Sequence, residues 1–179
     1  MSIQFNAAEI LEMAEAVERN GAAFYRQAAE HQSNRQVREM LLKLAGMEEE
    51  HQRVFASMRA GLSEPERRPV TFDPYDETGL YLQAMADRAI FPLAPQGQTG
   101  LTGRETVEAV LGLAIQAEKD SIAFYVGLRE LVPADRGRAQ VDRIIKEEMG
   151  HFGTLRAALK EFLACPGAAE RLAGALEDT

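Results

Sequence analysis

A glutamate three residues ahead of a histidine occurs twice in this chain, at Glu48-x-x-His51 and Glu148-x-x-His151, one hundred positions apart. Three residues is just under one helical turn, so each pair projects from one face of a helix. The repeat extends beyond the pairs. Glu18 has its counterpart in Glu118, and Phe24-Tyr25 in Phe124-Tyr125, at the same offset. In both halves the lone glutamate precedes the paired one by thirty residues (18 to 48, 118 to 148). A helix–turn–helix unit used twice is expected. Each copy carries one lone glutamate and one glutamate–histidine pair.

Periodicity and end signals place four long helices. Asn6-Ala7-Ala8-Glu9 has the form of a capping box, and Leu11, Ala14, Glu18, Ala22, Tyr25 and Ala29 recur at helical spacing, predicting helix 1 over 7–31. Ser33-Asn34 supplies a turn and a cap, and Val37, Leu41, Leu44, Glu48, His51, Phe55 and Met58 predict helix 2 over 34–60, closed by Gly61. Thr102-Gly103-Arg104-Glu105 reads as a second capping box opening helix 3 over 103–131, with Val107, Leu111, Ala114, Glu118, Ile122, Tyr125 and Leu128 on one face. Pro133 breaks it. Asp135 can cap helix 4 over 135–164, whose seam is Val141, Ile144, Glu148, His151, Leu155, Ala158 and Phe162.

Residues 61–103 interrupt this rhythm with Pro65, Pro69, Pro74, Pro92 and Pro95, and contain room for a short helix over 75–91. A connection so long between neighbouring helices is expected to travel the length of a bundle. The fold class expected is therefore all-α: a four-helix bundle with a long crossover between helices 2 and 3, its domain over 1–164. A tail follows over 165–179, with room for one more short helix.

In all four predicted seams the apolar run is broken at one level, by a glutamate. Burying an unpaired carboxylate is costly, and four together with no basic residue in the seams would repel one another. Two divalent cations neutralise four carboxylates, and two neutral imidazoles complete a mixed oxygen–nitrogen set that suits iron or manganese and can admit zinc. The predicted ligands are Glu18, Glu48, His51, Glu118, Glu148 and His151. Glu49, Glu50 and Glu147 read as a solvated face, and Glu15, one turn before Glu18, as turned to solvent because the repeat puts Ile115 there. Tyr25 and Tyr125 lie two turns beyond the lone glutamates, as core aromatics whose hydroxyls hydrogen-bond a carboxylate and could relay an electron or proton. His31, near the end of helix 1, is assigned no ligand role, and Met40, Met47 and Met85 read as gap-fillers.

Composition excludes other classes. The net charge of −8, with both signs interspersed, disfavours nucleic acid or an anionic membrane as partner. No apolar run reaches the roughly 18 residues of a membrane span. The first twenty residues lack the basic and uninterrupted apolar regions of a secretory signal, so the cytoplasm is expected. The single cysteine, Cys165, excludes an intramolecular disulfide and a four-cysteine site within the chain.

With these motifs the chain resembles the rubrerythrin branch of the ferritin-like superfamily over residues 7–163, through Glu18 with Tyr25, Glu48-x-x-His51, the run Glu118 to Tyr125, and Glu148-x-x-His151. The resemblance implies a di-iron centre. Glu18 and Glu118 would be terminal ligands, Glu48 and Glu148 would bridge, and His51 and His151 would each cap one ion. It also implies reduction of hydrogen peroxide, or oxidation of ferrous iron by oxygen. Two departures stand out. There is no four-cysteine rubredoxin domain, so electrons would come from a separate rubredoxin-like protein or reductase. The extra glutamate ligand of rubrerythrins on helix 3 is missing, since Ile115 and Ser121 flank Glu118. The remaining set is closer to bacterioferritin-like ferroxidase centres. A homodimer is the expected assembly. Two other readings stay open: a non-catalytic metal binder or redox sensor, and a helical interaction module with a structural polar layer.

Overall fold

The computed structural model describes residues 6–64, 93–94, 98–99, 101–132 and 137–164. Four helices dominate them: α1 (Ala7–Glu30), α2 (Arg35–Ala60), α3 (Val107–Leu131) and α4 (Arg138–Ala164). The family of architectures is all-α, as expected. The one addition is a two-strand hairpin, β1 (Leu93–Ala94) antiparallel to β2 (Gln98–Thr99), where the sequence read as loop. The expected helix over 75–91, the Asp135 cap, Met85, Cys165 and the 165–179 tail lie outside the described residues.

Local chemistry fixes the helix starts. The Asn6 side chain accepts from the Glu9 amide at 2.9 Å, and Glu9 returns a bond to the Asn6 amide at 2.7 Å, satisfying two otherwise orphaned donors. Asn34 caps α2 by accepting from the Val37 amide. Helix α3 starts four residues later than its predicted opening. Thr106, not Thr102, is its cap and accepts from the Ala109 amide at 3.1 Å. Glu105 does reach back to Thr102 and to the Gly103 amide, but those bonds close a turn. Gly103 sits at φ +80°, where no helix can begin.

The four-residue connection His31–Asn34 folds α2 back along α1, and α3 and α4 form the second such pair. The pairs meet along α1 with α3 and α2 with α4. Arg59 at the end of α2 pairs with Glu15 near the start of α1, while Gly103, just before α3, packs on the His31 ring at the far end of α1. The two ends of the connection between α2 and α3 thus lie at opposite ends of α1, a helix about 36 Å long for 24 residues at 1.5 Å per residue.

The seams become the core: Leu11, Ala14, Leu41, Leu44, Phe55, Leu111, Ala114, Val141, Ile144 and Leu155 are all buried. Among the described residues no helix is long and apolar enough to cross a membrane.

Candidate metal centre

One turn from this apolar packing on either side, the polar layer is also buried. Leu44 and Phe55 bracket Glu48 and His51 on α2, and Ile144 and Leu155 bracket Glu148 and His151 on α4. Glu18, Glu48, Glu118 and Glu148 are 1–2% exposed, and the two histidines no more than 3%. The structure therefore brings all six predicted side chains together, inside the bundle. The imidazole rings of His51 and His151 stack, 5.6 Å between centroids.

The contacts divide the carboxylates into two kinds. Glu48 places Oε2 3.5 Å from Nδ1 of His51 and Oε1 3.5 Å from Nδ1 of His151. Glu148 does the same, with Oε1 2.8 Å from His51 and Oε2 3.1 Å from His151. Each of these two offers one oxygen to either side. Glu18 approaches only His51, at 3.7 Å, and Glu118 only His151, at 3.5 Å. Two groups of donor atoms result, each within a 4.8 Å span: Glu18, Glu48, His51, Glu148, and Glu48, Glu118, Glu148, His151. They share Glu48 and Glu148.

Several of these atoms are left without a hydrogen bond: Glu48 Oε1, Glu118 Oε2, Glu148 Oε1 and His51 Nδ1. Nδ1 of His51 and Oε1 of Glu148 are 2.8 Å apart yet not aligned as donor and acceptor. Buried polar atoms are nearly always paired, so a cluster of unpaired ones aimed at common space suits a cation pair. The donor set, four carboxylates with two imidazoles, suits a two-metal site.

Protons order the electrostatics of the layer. Burial first, then the Glu48 charge, pushes the Glu18 carboxyl well above the usual carboxylate range, and burial does the same to Glu118. Burial also opposes ionisation of Glu48 and Glu148, but the Glu18 carboxyl and then the two imidazoles beside Glu48 hold it below the usual range, and the imidazoles with Glu118 do the same for Glu148. For the imidazoles, burial works against charge and the carboxylates outweigh it. Glu118, Glu148 and Glu48 push His151 up to about 12, and Glu148, Glu18 and Glu48 raise His51 likewise. The imidazoles are thus pushed toward their protonated form and Glu48 and Glu148 toward the ionised one, while Glu18 and Glu118 are pushed toward the neutral acid.

Both tyrosines are fully buried, and burial holds their hydroxyls protonated by raising them well above the phenol range. Their partners are exchanged between halves. Tyr25 donates to Oε1 of Glu118, and Tyr125 donates to Oε1 of Glu18 at 2.6 Å. Spacing along one helix left open which carboxylate each would meet; the antiparallel approach of α1 and α3 gives each the lone glutamate of the other half.

Two surface assignments fail. Glu15 is buried at 8%, not solvated; both its oxygens accept from Arg59, at 2.6 and 3.0 Å, and it stays out of the metal layer. The second half carries Ile115 and Leu159 at the equivalent positions, both packed on the core, so an ion pair in one half replaces an apolar pair in the other. That matched exception was visible in the sequence. Glu147 is not merely a solvated acid either: its Oε2 lies 2.8 Å from Nε2 of His51. Glu49 and Glu50 do sit at the surface, paired with Arg26 and Arg53.

Comparison with known proteins agrees with this fold. A Thermotoga maritima protein, described as a candidate ferritin-like diiron-carboxylate protein, superposes with a TM-score of 0.65 at 23% identity, over 90% of this chain and 99% of that one. A hypothetical protein from Pyrococcus furiosus superposes with a TM-score of 0.64, also at 23% identity, over 87% and 89%. No curated protein sequence matches significantly. The profile of the ferritin-like domain matches residues 6–161, nearly the whole four-helix unit with all six buried glutamates and histidines, and the chain belongs to that ferritin-like family.

Proposed function

We propose that this protein is a di-iron oxidoreductase of rubrerythrin-like type, which reduces hydrogen peroxide or oxygen with electrons from a separate donor protein. The observation that carries this reading is the pair of overlapping donor groups joined by Glu48 and Glu148. In it, Glu48 and Glu148 would be shared by two ions, with Glu18 and His51 completing one position and Glu118 and His151 the other. Bound there, two ferrous ions would supply the two electrons that such an oxidant takes up. Manganese or zinc would fit the same donors but is a weaker match to the redox role.

The chain's own residues do the rest. The carboxylates, once ionised, stabilise the higher charge of an oxidised pair. Tyr25 and Tyr125 hold Glu118 and Glu18 in place through their hydroxyls, so that each terminal carboxylate is oriented from the opposite half. Leu44, Phe55, Ile144 and Leu155 close the layer above and below and keep bulk water from the site. A reducing compartment, the cytoplasm, suits a centre that an outside donor must reset, and a homodimer is the proposed assembly.

Anaerobic loading with ferrous iron, followed by stopped-flow mixing with peroxide or oxygen, tests the proposal. Two ions per chain and rapid two-electron oxidation by one of the oxidants are expected, with repeated turnover when a reductant is supplied. Stable two-ion occupancy with neither oxidant consumed would leave a metal binder instead. No metal uptake would leave the polar layer a structural feature.

A further inference from the structure

The two halves of the metal layer differ at one hydrogen bond. With Nδ1 of each histidine turned into the cluster, Nε2 keeps the ring proton and has to donate it outward. Nε2 of His51 donates to Oε2 of Glu147 at 2.8 Å. Glu147 is itself anchored, its Oε1 lying 3.6 Å from Nε of Arg143 on the preceding turn. Nε2 of His151 is buried and has no hydrogen-bond partner among the described residues. The repeat explains the difference: one hundred positions before Glu147 stands Met47, whose thioether is at most a weak acceptor.

We propose that Glu147 is a positioning residue that makes the two metal positions unequal, so that the ion held by His51 and Glu18 is tight and loads first, while the position of His151 and Glu118 is the exchangeable one. The proposal rests on the two-metal reading above. A carboxylate on the outer nitrogen fixes the tautomer and ring orientation and makes the inner nitrogen a stronger donor; losing such a partner costs about 10- to 100-fold in metal affinity. His51 has that partner and His151 does not. An ion entering either position meets the same two shared carboxylates, so they cannot by themselves favour one side.

Cobalt(II) titration of the metal-free protein against a competing chelator, followed by visible absorption, reads the stepwise constants directly. Two ions sharing two carboxylates would repel and bind in steps even in a symmetric site, so the variants decide. Glu147→Met copies the other half and is expected to weaken the first step by about 10- to 100-fold, bringing the two steps together; Glu147→Gln should fall between. Met47→Glu is the reciprocal change and should tighten the second step, closing the gap from the other side. Glu118→Ala should keep the tight ion at its original affinity, and Glu18→Ala should lose it. Unchanged constants in both Glu147 variants, or a tight ion lost with Glu118 rather than Glu18, would overturn the inequality while two-ion binding stood. A wild-type protein that takes up no cobalt would take down the metal reading and this inference together.

Discussion

The first helix pair and the second are built to one plan, and the informative positions are those where they part. Glu18, Tyr25, Glu48 and His51 have counterparts at every step in Glu118, Tyr125, Glu148 and His151, and these are the residues of the buried layer. Around them the copies diverge. Glu15 and Arg59 form an ion pair where the second half has Ile115 and Leu159, Tyr125 stacks on Phe55 where Tyr25 has Leu155 at the equivalent place, and Glu147 has only Met47 opposite it. The chemistry-bearing layer repeats residue for residue between the copies, and its members meet across both halves. The positions around it differ between the copies, even where they reach across halves, as Glu147 does to His51 and Tyr125 to Phe55.

That contrast makes its largest prediction for the shared carboxylates. Glu48 and Glu148 each present an oxygen to both histidines, whereas Glu18 and Glu118 each serve one. Glu48→Ala or Glu148→Ala should drop metal content below about one ion per chain, while Glu118→Ala should retain about one. Metal analysis of protein purified without chelator reads this directly. Full two-metal occupancy in either bridging variant would refute the shared role.

Metal uptake should also depend steeply on pH, equally from either half. Without metal, each half has one imidazole and one acid pushed toward their protonated forms: His51 and Glu18, His151 and Glu118. Their proton affinities are raised, so these groups stay protonated as pH rises past their ordinary values. Binding an ion requires both to let go, and as many as four protons (two per half) leave when two ions enter. Raising the pH therefore tightens binding, and lowering it weakens binding. Calorimetry in buffers of different ionisation enthalpy counts the protons. A count near zero would mean that the acids and imidazoles are already deprotonated.

The ion pair outside the layer offers a smaller effect. Arg59→Leu leaves Glu15 buried without its partner and should cost about 1–3 kcal/mol in metal-free urea unfolding, discounted because Arg59 remains partly exposed. Glu15→Ile with Arg59→Leu, which copies the second half, should recover most of that loss. A double variant as unstable as the single one would show that the halves are not interchangeable here.

Much of this was legible in the sequence, for a physical reason. A helix buries one stripe, so the period of the apolar residues reported both the helices and the level at which acids interrupt them; Leu41 to Phe55 and Ile144 to Leu155 became core as read. Spacing along one helix does not report which neighbour lies opposite. The exchange of tyrosine partners and the reach of Glu147 to His51 both arise between helices, and both escaped. The start of α3 was misplaced because Thr102 and Glu105 satisfy a turn as well as they would a helix, and only the left-handed Gly103 decides between them.

The exchanged tyrosines give the finest test of how alike the halves are. Tyr25→Phe leaves Glu118 without its donor across the bundle, and Tyr125→Phe leaves Glu18 without its own. Each deletion removes one buried hydroxyl and little volume, so metal-free stability should fall by about 1–3 kcal/mol, with Tyr125→Phe keeping its stacking on Phe55 at 5.3 Å. Because the bonds cross, Tyr25→Phe should loosen the ion position of His151, and Tyr125→Phe that of His51. Were each tyrosine instead to affect the position completed by the glutamate of its own helix, the crossing would have no functional weight. Cobalt absorption recorded for the two variants at one added equivalent distinguishes the patterns, since only Tyr125→Phe should disturb the position next to Glu147.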